Sequence, residues 1–396
     1  MTSSQFTKSL FTYPWDLVDE GLDVSLGRIA DLTGCNEVML TPAYHRSAYF
    51  LPHNPKRPIY NGENGAIYFT PDLSKYSKTR IRPRVSHIVD RPLYFESILE
   101  AMDRRGLQFA SWTVYNFNDY LSEKYPQFAR HDALGTTYIG SMSVSSQDVQ
   151  EYWFTVTKEI LERFKPKALN IESLDRRGFQ APSKRRAEFT AQCQFVLSLD
   201  FNPAAVAKAN EAGMDGDGLK RDVAEWLRVR LARVATAEDE LPVTPEWVSA
   251  AFDGQLRRYM DVCKKTTSDL FVQVADIIHS HGVKVQTGSL ADPAASLRDD
   301  LDPSVNKHLD IIFPGAIPAG EEGKAKVRDS ARKMAPGAKV YSWLKTSDGK
   351  DSVTTRAGVQ AAVDAGASGC MFYNYGLLRI DQLKEIGTAL RAAGVA

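Results

Sequence analysis

SHGVKVQTG, residues 280–288, and DAGASGCMFYN, residues 364–374, state one pattern twice. In each, an amphipathic helix runs out, a glycine turns the chain, and a short apolar run begins that ends in polar residues. This is the pattern of a crossover helix feeding a buried parallel strand. Working outward, the same grammar gives eight strand runs: Leu10–Tyr13, Glu37–Thr41, Gln108–Val114, Ala168–Glu172, Lys284–Thr287, Leu309–Phe313, Lys339–Leu344 and Gly369–Tyr373. Helical stretches lie between them, among them Val24–Leu32, Leu93–Arg104, Val149–Phe164, Gln255–His281, Glu321–Met334, Val353–Ala365 and Ile380–Ala392. Eight strand–helix units favour an α/β fold closed as a (β/α)8 TIM barrel. The alternative, an open doubly wound sheet, normally carries a glycine-rich dinucleotide turn after its first strand, and PWDLVDEG (residues 14–21) is not one.

Two departures from the repeat are expected. A loop of about fifty residues, rich in Pro, Tyr and His, follows the second strand and is far longer than an ordinary connection. A largely helical block from about residue 173 to 253 follows the fourth strand and reads as an insertion. It contains Glu188–Leu197, Pro203–Ala212 and Leu219–Ala235. The expectation is a single barrel domain over residues 1–396 that carries this insertion.

Composition narrows the partners. Lys plus Arg balances Asp plus Glu, 49 against 49, so no net field draws the chain to nucleic acid or an anionic membrane. With 43% hydrophobic residues over 396 positions, there is ample material for one large core. Cys35, Cys193, Cys263 and Cys370 lie far apart with no CxxC pair, as expected of reduced thiols in a cytoplasm. The N-terminal residues lack the apolar run of a signal peptide, and no stretch approaches a transmembrane span. A cytoplasmic protein is the expectation. Barrels commonly pair, so a homo-oligomer is expected as well.

In this fold, chemistry sits where strands end and strand-to-helix loops begin. Those positions hold Trp15 and Asp16, Tyr44, His45 and His53, Tyr115, Asn116 and Asn118, and Glu172 followed by Asp175, Arg176 and Arg177. Strand five adds Gln286 and Thr287; the last two strands add Trp343, Lys345, Asp348, Tyr373, Asn374 and Tyr375. The set is aromatic, rich in amides and poor in carboxylates. Aromatic faces stack on the C–H faces of sugars, and amides, imidazoles and guanidiniums bind hydroxyls, so the set suits a small polyhydroxylated substrate. Glu172 is its sharpest member. It ends the apolar run ALNIE, where partial burial suits a carboxyl to general-acid work. His45 and His53 have no metal-specific spacing, so no metal or cofactor is expected and hydrogen bonding to hydroxyls is their expected role. No GxSxG elbow supports Ser141, Ser143, Ser145 or Ser146 as a nucleophile.

TPAYHRSAYFLPHNP (41–55), GAIYFTPDLSKY (65–76), SWTVYNFN (111–118) and LNIESLDRRGF (169–179) together resemble the poorly characterised TIM-barrel families described as hypothetical glycoside hydrolases. The resemblance covers roughly residues 37–200. It implies a barrel and a carbohydrate substrate, with His45, His53, Asn116 and Glu172 as the matching site positions. Glycosidase mechanisms need two carboxyl groups across the scissile bond. In the best-known barrel glycosidases the partner of a strand-four glutamate is a glutamate ending strand seven. This chain has WLKTSD (343–348) there, which offers Lys345 and, further out, Asp348.

The expectation is therefore a glycoside hydrolase-like enzyme acting on a small glycoside or oligosaccharide. Glu172 is the expected general acid/base, and Asp348 or Asp16 the second carboxylate. His45, His53, Tyr115, Asn116, Asn118, Arg177, Trp343, Lys345, Tyr373 and Asn374 are expected to contact substrate. Two alternatives stay open: a sugar lyase, isomerase or epimerase (metal-dependent in one form), and a non-catalytic sugar-binding barrel.

Overall fold

The apolar runs become eight parallel strands: β1 Thr7–Thr12, β2 Glu37–Tyr44, β3 Gln108–Val114, β4 Ala168–Glu172, β5 Lys284–Thr287, β6 Ile311–Ile312, β7 Lys339–Lys345 and β8 Gly369–Tyr373. The computed structural model describes residues 6–174, 190–291, 301–345 and 352–396. Each strand pairs with the next in chain order, and β8 pairs with β1 from Thr7↔Gly369 to Leu10↔Phe372. The sheet is thereby closed, a (β/α)8 barrel with no free edge among its eight strands.

The helices cover the barrel because their apolar residues recur at helical spacing. In Tyr94–Arg104 the buried residues are Tyr94, Phe95, Ile98, Ala101 and Met102, one face of a helix. Burying an aliphatic or aromatic side chain of this kind contributes roughly 1.5–3 kcal/mol. The helix read as Val24–Leu32 is two pieces, Leu22–Gly27 in α form and Arg28–Thr33 in π form, stopped by Gly34 in the left-handed region.

Strand β2 continues past Pro42 to Tyr44, three residues beyond the expected end. Proline cannot donate to a ladder, and the register of β2 on β3 shifts between Leu40 and Ala43 to accommodate it. The Pro42 carbonyl instead accepts the N–H of Tyr68 at 2.8 Å. The bulge keeps the strand paired up to the mouth and delivers Tyr44 and His45 there.

The long segment after β2 is ordered by pairing and by buried aromatics. Ala48–Phe50 and Ile59–Asn61 form an antiparallel hairpin, and Ala66–Ile67 pairs antiparallel with Ala43 and Tyr44 of β2. Tyr49, Tyr60, Tyr68, Phe69 and Tyr76 are buried beneath it. Tyr76 donates to the buried Glu159 carboxylate at 2.8 Å, and Asn54 and Arg57 both bond Asp19.

After β4, the described residues from 190 to 250 form four helices: Ala191–Leu197, Pro203–Glu211, Gly216–Leu231 and Pro245–Ala250. Thr190, Asn202, Asp215 and Thr244 cap them, each accepting a backbone N–H of the first turn. Such caps contribute about 1 kcal/mol each. With the start of Gln255–Ser280 these helices enclose their own apolar cluster, including Phe195, Val196, Phe201, Val223, Leu227 and Tyr259. The four cysteines are free thiols. No described helix is long and apolar enough to cross a membrane.

Candidate active site

A cavity of about 500 Å³ opens at the strand ends where the parallel barrel presents its C-terminal face. Its carboxylate, among the described residues, is Glu172. The turn that presents Glu172 is pinned from β3: the Tyr115 N–H donates to the Glu172 carbonyl at 2.9 Å, and the Asn116 N–H to the Ser173 carbonyl at 3.0 Å. The Asn116 side-chain amide adds a bond to the Leu174 carbonyl at 2.6 Å. Ser173 holds φ +57°, in the left-handed region that a non-glycine residue adopts only where its surroundings fix it. The indole N–H of Trp112 donates to Glu172 Oε2. The carboxyl is thus half-buried and fixed in direction, as a proton-transfer group requires.

Around it the cavity is aromatic. Phe11, Trp112 and Tyr373 pack edge to face, with Phe11 and Trp112 centroids 4.9 Å apart, and Trp343 and Phe313 continue the ring. Tyr13, fully buried behind them, bridges two hydroxyls, 3.2 Å from Tyr44 and 2.9 Å from Tyr373. Burial, then the neighbouring hydroxyls, push the phenols of Tyr13 and Tyr44 far above the ordinary tyrosine range, and Tyr373 moves up as well. All three stay neutral at ordinary pH, and the charge of Glu172 is among the causes that raise Tyr44 and Tyr373. His45 is sandwiched between Tyr44 and Phe117, at 4.3 and 4.2 Å between centroids. Lys345 places its ammonium 4.8 Å from the Trp343 ring centre, at the cavity wall.

The structure brings Glu172, His45, Trp343, Lys345 and Tyr373 of the sequence-derived set to this one cavity. Others lie outside it. Tyr115 is fully buried and bonded to Thr157 at 3.0 Å. Asn116 is spent on Leu174 and on the Trp153 indole at 2.8 Å, and so acts as a brace for the Glu172 turn. Asn118 caps the helix Asp119–Lys124 and lies so close to Gly65 that a Cβ there would stand 1.9 Å from its Oδ1. His53 bonds Glu20 at 2.9 Å and the Tyr375 carbonyl at 3.1 Å. The set His45, His53 and Glu172 therefore makes no metal centre, and no group of three candidate ligands occurs among the described residues. Asn374 is buried after a cis Tyr373–Asn374 peptide, its Oδ1 taken by the Gly376 N–H. Trp15 and Tyr375, read with the mouth aromatics, are likewise core residues. Arg177 and Asp348, with Asp175 and Arg176, lie outside the described residues.

Asp16 does not reach the cavity either. It is fully buried, neither carboxyl oxygen has a hydrogen-bond partner among the described residues, and a Cβ at Gly376 would come within 2.1 Å of it. Burial, then the charge of Glu20, raise its pKa well above the usual carboxylate value. The folded value exceeds the unfolded one, so its contribution is fully present below the unfolded pKa and is lost as pH rises through the folded pKa. Asp16→Asn, which abolishes the ionisation and keeps the side-chain volume, is expected to stabilise the protein at pH 8. The gain should shrink toward pH 4. Urea unfolding at both pH values checks this, and a pH-independent difference would contradict it.

Two residues that the sequence reading passed over belong to the site. Trp112 and Asn170 face each other in the β3–β4 register and both line the cavity; Asn170 Oδ1 is buried with no partner among the described residues. Side chains two apart on a strand share a face, so Asn170 follows from Glu172, and a polar residue inside ALNIE was the available signal.

No protein-family model and no curated protein sequence matches the chain. Solved structures do. The glycoside hydrolase domain of PgaB (BpsB) from Bordetella bronchiseptica is 13% identical over 98% of both chains, with a TM-score of 0.57. The catalytic domain of β-amylase from Paenibacillus polymyxa is 10% identical over 99% of both, at 0.54. α-L-Fucosidase isoenzyme 2 from Paenibacillus thiaminolyticus is 12% identical, also at 0.54. The match takes in 98% of this chain and 49% of the fucosidase, so the chain spans about half that protein's length. These are likenesses of fold. The chain shares the barrel fold with these enzymes, and its chemistry has to be argued from its own residues.

Proposed function

We propose that this protein is a glycoside hydrolase-like enzyme acting on a small glycoside, a single barrel unit with a helical insertion, and that Glu172 is its general acid/base. The observation that carries the reading is a carboxyl fixed by the Trp112 indole on an aromatic cavity wall at the C-terminal barrel face. Asn170, His45 and Lys345 are the groups for sugar hydroxyls, and Trp343 and Tyr373 the rings for sugar faces. Barrel neighbours that are themselves glycosidases of different specificities support the substrate class. Asp348, three residues beyond Lys345, is the proposed second carboxylate.

A second reading, a sugar lyase or epimerase, is favoured by one observation: Glu172 faces hydrogen-bonded neutral tyrosines, and proton abstraction needs one base and one acid. Turnover of a glycoside panel in ¹⁸O-water and D₂O separates the two. Hydrolysis puts one solvent oxygen into the products. An unsaturated product, or solvent deuterium on sugar carbon without ¹⁸O uptake, would replace hydrolysis with the second reading.

A further inference from the structure

The cavity has two unlike walls. Glu172, Asn170, Tyr44, His45, Lys345 and Tyr373 form one, with hydrogen-bonding groups throughout. The other is built from Phe271 of the helix Gln255–Ser280, Leu290 in the loop after β5, Val305 and Leu309 at the 3₁₀ turn Pro303–His308, and Phe313 just past β6. Three polar residues border it: Ser289 is exposed, Thr287 Oγ1 donates to the Ile171 carbonyl at 3.5 Å, and Asn306 is engaged at both ends of its amide. The Ala291 N–H donates to Asn306 Oδ1 at 2.9 Å, and Asn306 Nδ2 donates to the Ala291 carbonyl at 2.9 Å. A hydroxyl laid on the five apolar side chains would lose its water and gain no partner from them, which is unfavourable. An apolar group laid there would gain by burial.

A disaccharide carries hydroxyls on both rings, so one ring would strand them on the apolar wall. We infer that the substrate is a glycoside of an apolar aglycone, aryl or alkyl, with its sugar ring at Glu172 and Asn170 and its aglycone against Val305, Leu309 and Phe313. The inference rests on the carbohydrate reading above and names the class within it. Departure of such an aglycone requires one proton at the glycosidic oxygen, which Glu172 supplies as the C–O bond breaks. Water adds its hydroxyl to the sugar and returns its proton to the protein, so the step balances as hydrolysis.

Non-hydrolysable probes separate this inference from the proposed activity. Methyl and phenyl 1-thioglycosides of a panel of hexoses are titrated calorimetrically into the full chain, with disaccharides alongside. For every sugar that binds, the phenyl compound is expected to bind at least about tenfold more tightly than the methyl one. Leu290→Asn, on a half-buried loop position, should remove most of that gain and leave the methyl affinity within about twofold. Val305→Thr, a smaller change, should remove part of it if Leu290→Asn proves poorly folded. Equal affinities within each pair, a disaccharide preferred over its phenyl counterpart, a gain untouched by both variants, or no binding of any probe would each overturn the inference. A phenyl preference without turnover of the matching O-phenyl glycosides leaves the aglycone wall intact and rejects hydrolysis alone.

Discussion

Glu172→Gln is expected to lower kcat by about 10²–10⁴-fold, the range for removal of a general acid/base, while folding and ligand affinity change little. The amide keeps an oxygen that can accept the Trp112 N–H, and it fills the same volume, so the contacts that fix the β4 turn persist. What it loses is the exchangeable proton. Binding of the thioglycoside probes should stay within a few-fold, and the unfolding free energy from urea titration should change by less than about 1 kcal/mol, as expected where no packing or paired group is removed. Trp112→Phe is the companion measurement: it keeps an aromatic ring against Phe11 and removes the charge-assisted hydrogen bond. About a tenfold loss of kcat is expected there, because the carboxyl is no longer held in one direction. A fully active Glu172→Gln enzyme would remove Glu172 from the chemistry.

The fold was legible in this sequence because barrel units repeat one local grammar. Strands β3, β4, β5 and β8 occupy the expected residues to the end, since each is bounded by a helix-stopping glycine or a polar turn. Strand β6 is the two-residue Ile311–Ile312 where Leu309–Phe313 was expected, because Leu309 donates back to Asn306 to end a 3₁₀ turn and Pro314 follows. The site was legible only in part, for a reason of direction. Chain position says that a residue stands near a strand end, not whether its side chain turns to the cavity or to the packing beneath it. Tyr115, Asn116, Asn118 and His53 all stand near the mouth and are consumed by braces and caps, and Asn374 commits its Oδ1 to the Gly376 N–H. Trp112 was missed for the opposite reason: it stands in mid-strand, away from the strand end, yet its N–H reaches the site.

Glu20→Ala is expected to be the most destabilising single change near the mouth, by about 3–5 kcal/mol, as when one partner of a buried ion pair is removed. Glu20 ends the helix Pro14–Glu20 with its side chain only 2% exposed, and it holds three separate elements. Its Oε2 accepts the Arg28 guanidinium from the π-helical segment and the Tyr375 hydroxyl, the latter at 2.9 Å. Its Oε1 faces His53 Nδ1 at 2.9 Å, in the long loop after β2. The first unit, the long loop and the last unit are thereby clasped across the β1–β8 seam. Arg28, one-third exposed, can recover water when the carboxylate is gone; His53, at 7%, and the Tyr375 hydroxyl cannot. Glu20→Gln keeps one acceptor and should lose less. The clasp stands two residues from Tyr373 on the cavity wall, so Glu20→Ala should also raise KM more than it lowers kcat. Asp16, one helical turn earlier, is the control: equally buried but without a partner, it is predicted to stabilise when neutralised. Urea unfolding of both variants at pH 8 should therefore move in opposite directions. A Glu20→Ala loss below about 1 kcal/mol, the level of a surface pair, would mean that the seam is held by packing and not by this carboxylate.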